Sequence, residues 1–424
     1  MNNDLGRSMY NMMNTLYPIC RSITGNGVRD TLAEIKNHID IKLSEVSTGT
    51  QVFDWTVPKE WNIRDAYVIS PKGEKIIDFK VHNLHVLNYS APIKQTVSLA
   101  TLREHVYTMP EHPDWIPYRT SYYNENWGFC MAHNDFLKLE EGDYEVVVDS
   151  SLTEGSLTYG EFFIQGESDQ EILISCHICH PSLCNDNLSG IALSTMLAKQ
   201  LLGKKLKYSY RFLFIPGTIG SITWLSRNQE KIKNIKHGLV VVCVGDEGKF
   251  HYKRSKSGDA YIDRAVENVL RNSGHSFDVI DFYPYGYDER QYSSPGINLD
   301  VGSLSRSSHG QYDEYHTSKD DMDLISEQAL SESLECYLSV VDVLENDRCY
   351  TNLSPMCEPQ LGKRGLYRKL GASEGRVFGE MALLWVLNMT DGKTTLLDIS
   401  NRASLPFSEI KNAALALQQA KLLQ

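Results

Sequence analysis

Three short runs of almost uninterrupted apolar residues set the strongest limit on what this chain can fold into. They are Glu171–Cys179, Tyr210–Ile215 and Gly238–Val244. Such runs mark strands covered on both faces. Amphipathic segments at Leu188–Leu202 and Ser221–Ile232 lie between them and read as helices. Ile297–Leu304 reads as a further strand and Ser318–Glu345 as a long helix. Apolar strands alternating with helices predict an α/β fold: a mostly parallel sheet with helices on both faces.

The rest of the chain has a different texture. Residues 1 to about 40 read as helical, with Leu32, Ile35 and Ile39 at helical spacing. Gln51–Val57 is strand-like. From Pro58 to Ser150 the sequence is aromatic and turn-rich, with alternating runs such as Tyr144–Val148, which predicts a small β-rich module. A linker at Ser354–Gly371 leads to a tail with three short helices, Val377–Leu387, Leu396–Arg402 and Pro406–Leu423, the last with Ser408 as its N-cap. That pattern predicts a winged-helix-like module. The chain has 424 residues, beyond the roughly 250–300 at which one core stops growing. The expected division is therefore 1–57 with 151–350 as one discontinuous α/β domain, 58–150 as an inserted β-rich domain, and 372–424 as the tail domain.

A net charge of −12 argues against broad electrostatic binding to nucleic acid or an anionic membrane. The tail is neutral, with five basic and five acidic residues between Ala372 and Gln424, and its candidate recognition helix holds only Lys411 and Lys421. The basic footprint of a DNA-binding module is missing, so the tail is expected to serve dimerisation or domain packing, and a homo-oligomer is the matching assembly. No apolar run approaches the roughly 18 residues of a membrane span. The first residues lack a secretory pattern, and nine cysteines in so long a chain fit reduced thiols. The expected location is cytoplasmic.

The chemistry concentrates in EILISCHICHPSLCNDNLSG, Glu171–Gly190. A strand ends there at Cys176, His177, Cys179, His180, Cys184 and Asp186, and a helix begins near Leu188, with Asn187 and Ser189 placed to cap it. Ligands of open α/β sheets bind beyond the carboxyl ends of the strands, which is where His180 and Asp186 fall. An imidazole with a carboxylate and room for water suits a catalytic zinc ion. Two more strand ends point to the same crevice: Asp246 follows one, and His316 follows another within GQYDEYHTSKDD. Asp246 alone reads first as a loop hydrogen-bonding residue. His177, opposite Cys176 on the strand, reads first as a packing residue.

Cys176–His180 also matches C-x-x-C-H, the haem-attachment pattern. A tethered porphyrin does not fit a buried strand. A closed thiolate site from Cys176, Cys179 and Cys184 is disfavoured because neighbouring strand residues face opposite ways.

Asp186-Asn187-Leu188-Ser189-Gly190 resembles the D-N-x-S-G signature of the co-catalytic zinc aminopeptidases. The resemblance implies one or two zinc ions, with His180 as the upstream ligand, Asp186 as the bridge, Asp246 as the downstream ligand and His316 as the late one. Asp288 sits where that family often has a further acid. Segments across nearly the whole chain, among them CRSITGNGVRDTL, IPYRTSYYNENWGFC and EPQLGKRGLY, resemble the three-domain bacterial aminopeptidase-like proteins labelled as polysaccharide-biosynthesis proteins. That branch implies a zinc aminopeptidase-like domain, a small inserted β domain and a C-terminal winged helix.

One departure matters. The established enzymes carry two adjacent Glu before a G-S turn, one of them the general base. Phe214–Ser221 here contains no acid. Glu247, Glu289 and Glu314 are the replacement candidates, and Glu289 is preferred because it follows an aromatic, turn-rich stretch. Tyr315 or Arg306 is expected to bind the substrate's oxyanion or carboxylate. The reading is metal-assisted hydrolysis of an amide in a small peptide or amide-containing substrate. Its rivals are a zinc-binding or regulatory protein on a lapsed site, and a zinc amidase or deacylase acting on a cell-surface polysaccharide precursor.

Overall fold

The computed structural model describes residues 3–308, 310–366 and 378–424. The start of the expected tail domain, 372–377, lies outside the described residues, as do Val377 of its first helix and the end of the linker. The chain divides into two units: Met1–Gly258 with Ile280–Leu334, and Asp259–Val279 with Glu335–Gln424.

In the first unit we label the strands β1 (Lys42–Ser47), β2 (Glu60–Ile69), β3 (Lys75–Asp78), β4 (Ile93–Ser98), β5 (Asp143–Thr153), β6 (Ser156–Ile164), β7 (Glu171–His177), β8 (Ser209–Ile215), β9 (Ile235–Val241), β10 (Phe250–Lys253) and β11 (Val301–Ser305). Within this unit the labelled strands of the main sheet run β1-β6-β8-β7-β9-β11-β10. Its centre, β8-β7-β9-β11, is parallel, and the flanking pairs are antiparallel. Every residue of β7 and β8 is buried, so both faces of the sheet are covered, as their continuous apolar pattern requires. Near the amino ends of these strands, Arg211 bonds Glu171 through Nε (2.6 Å) and Nη2 (2.7 Å), and Glu161 of β6 through Nη1 (2.7 Å). This planar fork ties three strands in register.

From β7 the chain steps to β8 on one side, then crosses back to β9 on the other. That reversal opens the crevice beyond the carboxyl end of β7. Strand β9 stops at Val241, three residues short of the expected Val244. Cys243 has a left-handed backbone (φ 50°) and gives its N–H to Asn187 Oδ1, at 3.3 Å, instead of to the ladder. The expected helix from Ser318 begins only at Glu327. Ser318 Oγ accepts from Ile116 N–H (3.0 Å) and so caps nothing, while Ser326 Oγ accepts from Ala329 N–H (3.3 Å).

Between β1 and β6 the chain builds a second sheet, β3-β2-β5-β4, antiparallel throughout. Its core is Ala66, Val68, Val97, Tyr144, Val146 and Val148.

The second unit carries a winged helix. Helices Glu380–Met389, Leu396–Ala403 and Phe407–Gln419 accompany the strand pair Cys349–Thr351 and Asp391–Thr395. Thr395 and Asp398 form a capping box on the second helix. The third helix is entered through Pro406, so Ser408 lies in its first turn and is not the N-cap. Leu383, Val386, Leu397, Ile410 and Leu417 are buried. Lys411 reaches both oxygens of Asp342 at 2.6 Å. Among the described residues, no helix is long and apolar enough to cross a membrane.

Candidate metal centre

The segment joining β7 to the helix Gly190–Leu201 builds the centre. His177 is the last residue of β7. Asp186 and Asn187 break from helical geometry at φ −109° and −147°, which turns their side chains along the sheet edge. Asn187 donates through Nδ2 to the carbonyl of Val241 (3.0 Å) and to that of His177 (3.3 Å), and its Oδ1 accepts from Cys243. It thereby stitches the ends of β7 and β9. Ser189 Oγ donates to Asn185 O (2.7 Å) and accepts from Val244 N–H (3.0 Å), so it too bridges to the next strand instead of capping the helix. A Cβ on Gly190 would lie 2.3 Å from Asn187 Oδ1. The D-N-x-S-G signature thus has a physical reading: a carboxylate, a cross-strand tie, a second tie, and the absence of a side chain that would displace the first.

Four side chains converge. His177 Nε2 is 2.9 Å from Asp186 Oδ1, and His316 Nε2 is 2.9 Å from Asp186 Oδ2. His180 Nε2 is 4.0 Å from Asp186 Oδ2. Ligand atoms of His177, His180 and Asp186 lie within 4.8 Å of one another. His177 Nε2 and Asp186 Oδ1 are buried, and despite their proximity neither has a partner in hydrogen-bond geometry. Burial alone would raise the Asp186 carboxyl, but the imidazoles of His180 and His177 outweigh it and hold it well below the usual range. Burial pushes His180 well below its ordinary value, against the pull of Asp186. A buried carboxylate among imidazoles, two of its neighbouring atoms lacking aligned partners, is a donor set that fits zinc.

Outer residues hold this set. Asp320, fully buried, accepts from the backbone N–H of Asn185 and of Asp186 (3.0 Å), and burial pushes it up to about 8. Arg21, also fully buried, donates from Nε to the His180 carbonyl at 2.8 Å. Tyr315 stacks on His316 with ring centroids 4.0 Å apart, and its hydroxyl lies within reach of Asp186 and Tyr287.

The expected residues separate. His180, Asp186 and His316 come together, joined by His177, which strand alternation had assigned to packing. His177 is the last residue of β7, and its buried ring, with Tyr287 stacked on it, turns its Nε2 to Asp186. Asp246 does not join them. Its Oδ1 accepts from Gly248 N–H (2.6 Å) and Ser307 Oγ (2.7 Å), and its Oδ2 from Asn185 Nδ2 (2.6 Å), so it holds a loop. Arg306 is taken up by Glu332, by Ser333 Oγ (3.0 Å) and by Gly248 O (3.0 Å), leaving no free fork for a substrate. Glu289 is fully buried with Oε1 on Lys253 Nζ at 2.9 Å and on Tyr287 N–H at 3.2 Å. Glu247 is exposed.

The acid beside the cluster is Asp288. It is buried, accepts from Ser221 Oγ at 2.7 Å, and interacts electrostatically with His177. Burial pushes its carboxyl up to about 6. A Cβ on Gly217 would stand 3.0 Å from His177 Cβ and 3.3 Å from Asp288 Oδ2. The acid-free stretch before the Gly220-Ser221 turn therefore leaves the space that Asp288 faces.

The fold defines the class: an α/β domain with an aminopeptidase-like fold followed by a winged helix. The fold matches the zinc aminopeptidase BSAP of Bacillus subtilis, with a TM-score of 0.58 at 13% identity over 80% of this chain and 94% of that one. It also matches a peptidase M28 precursor of Shewanella amazonensis, with a TM-score of 0.55 at 14% identity over 81% and 95%. Residues 10–347 match the family described as a domain of unknown function, DUF4910, and 348–424 match a winged helix-turn-helix family. The chain belongs to the DUF4910 family. A relative from Clostridium acetobutylicum, 57% identical over 99% of this chain and 97% of its own, bears the provisional name of polysaccharide biosynthesis protein with aminopeptidase-like domain. A crystal structure from that organism, provisionally titled a peptidase, matches with a TM-score of 0.94 at 56% identity over 100% of this chain and 97% of that one.

Proposed function

We propose that this chain is a zinc-dependent amide hydrolase, with the metal held by His177, His180 and Asp186 and with His316 on the second carboxylate oxygen. The convergence of these four side chains at the switch point of the sheet carries the reading. Among the described residues no further acid or imidazole joins His316, which favours one ion over two. Zinc in such a site polarises a carbonyl and lowers the pKa of water towards ~7. The burial of Asp288 and its interaction with His177 support it as the carboxylate that takes the proton from the attacking water and returns it to the leaving nitrogen as the C–N bond breaks, giving a carboxylic acid and an amine. Tyr315, kept protonated by burial, offers a hydroxyl donor to the developing oxyanion.

The name of the C. acetobutylicum relative supports an N-acyl group on a saccharide precursor as one amide, and the aminopeptidase-like fold supports a peptide N-terminus as the other. An aminoacyl-p-nitroanilide panel run beside N-acylated sugars separates them. The second reading is a metal-binding protein without turnover, favoured by Gly217 in the acid-free stretch. Zinc bound at stoichiometry with no activity on either panel would select it. Absence of zinc from purified protein would refute both. The tail is proposed to serve packing within the protein, because Lys411 of its third helix is already paired with Asp342.

A further inference from the structure

His316 joins the cluster from 130 positions beyond Asp186 in the chain. Its backbone is left-handed, at φ 56°, a region that a residue with a Cβ seldom holds without support. The support comes from far away in the chain, from the segment Ile116–Tyr118 between β4 and β5. Tyr118 N–H donates to the His316 carbonyl at 2.7 Å, and Ser318 N–H donates to Ile116 O at 2.8 Å. Ile116 N–H donates to Ser318 Oγ at 3.0 Å. Pro117 and Thr317 form the bridge between these bonds. The Tyr118 ring, fully engaged, stands edge-on to His316 (centroids 5.0 Å apart, planes at 85°) and tilted against His180 at 5.2 Å. Tyr315 stacks on the His316 ring.

The anchor of this segment is itself fixed. Tyr118 and Tyr122 share a hydroxyl–hydroxyl bond of 2.9 Å. Asn88 N–H donates to Arg119 O at 2.9 Å. The Asn88 side chain in turn accepts from Ser22 Oγ at 2.6 Å and donates to Arg21 O at 2.8 Å. Arg21 is the residue bonded to the His180 carbonyl. Two of the four cluster residues, His180 and His316, are therefore held from outside through one connected network that joins Arg21 to the loops holding Asn88 and Ile116–Tyr122 between β3 and β5.

We propose that the module between β1 and β6 is a clamp that sets the metal affinity of the site, with Tyr118 and Ser318 as positioning residues for His316. This rests on the zinc reading of the same centre. Groups that orient metal ligands typically change affinity by about 10–100-fold when removed. The clamp acts on one ligand directly and on a second through ring contact.

The test measures zinc affinity of the full chain by competition with a chromophoric chelator, in wild type, Ser318→Ala, Tyr118→Phe and Tyr118→Ala. Thermal unfolding of the metal-free proteins runs beside it. The expected result is zinc binding weakened about 10-fold in Ser318→Ala and up to about 100-fold in Tyr118→Ala. Tyr118→Phe, which keeps the ring and the backbone N–H, should bind within about threefold of wild type. Metal-free Ser318→Ala should unfold near the wild-type temperature, which separates loss of positioning from loss of fold. If wild type binds zinc and both Ala variants bind it equally well, the clamp is refuted while the zinc reading stands. If wild type binds no zinc, the zinc reading itself fails.

Discussion

The two arms of the metal centre are built in opposite ways. The 177–190 arm is local. Its carboxylate, its ties and its glycine lie within five consecutive residues, and its hydrogen bonds go to the adjoining strands. The 316–320 arm is assembled at a distance. His316 sits in an unfavourable backbone region and depends on Tyr118, about two hundred positions earlier, while Asp320 reaches back to the amides of Asn185 and Asp186. The difference teaches where robustness lies. In the local arm Asn187 and Ser189 are satisfied at the ends of the neighbouring strands, which fixes the D-N-x-S-G turn. The distant arm is rigid only while another module stays docked.

Substitutions can break this contrast at graded strength. The largest effect is expected from Asp186→Asn, which removes the carboxylate shared by His177 and His316. Zinc content should fall to background and amide turnover, measured by initial rates, should drop by about 10³-fold. Next comes Asn187→Ala, which strips partners from Cys243 N–H and from two strand-end carbonyls. Buried groups left unsatisfied cost about 1–3 kcal/mol each, so denaturant unfolding should show a loss of at least about 3 kcal/mol. Gly190→Ala forces a Cβ against Asn187 and should destabilise by about 1–3 kcal/mol, as overpacking does. Its zinc affinity should fall with it, since Asn187 and Asp186 are neighbours.

The smallest effect belongs to a surface pair outside both arms. Burial tends to raise the Glu60 carboxyl, but bonds from Arg29, from the Ser156 amide and from Asn62 outweigh it and bring it down to about 2. A folded pKa below the unfolded one gives stability that is fully present above about 4.5 and is lost as pH falls towards 2. Glu60→Gln should therefore flatten the acid limb of the unfolding free energy between those values. It should leave zinc binding unchanged, by the same chelator assay.

The local arm was the legible one. A near-continuous apolar strand followed by D-N-x-S-G states its fold and much of its chemistry in adjacent residues. His177 was hidden because strand alternation says which face a residue takes but not that the chain returns with Asp186 beside it. Asp246 is the loop hydrogen-bonding residue that its own position suggested, and only the resemblance made it a ligand; Arg306 misled for the opposite reason. Its side-chain partners, Ser333 and Glu332, are remote in sequence, so nothing near it announces that it is already engaged. Glu289 and Asp288 are adjacent, and only the fold decides that one meets Lys253 while the other meets Ser221 beside His177. The late start of the helix at Glu327 has the same origin, since Ser318 is claimed by Ile116.

The central claim is that His177, His180 and Asp186 hold one zinc ion at the carboxyl end of β7. Elemental analysis of the purified full chain, in wild type and in a His177→Ala/His180→Ala double variant, tests it most directly. The account predicts close to one zinc per wild-type chain and background metal in a folded double variant. Zinc retained by the double variant, or absent from wild type after growth with zinc, would contradict it.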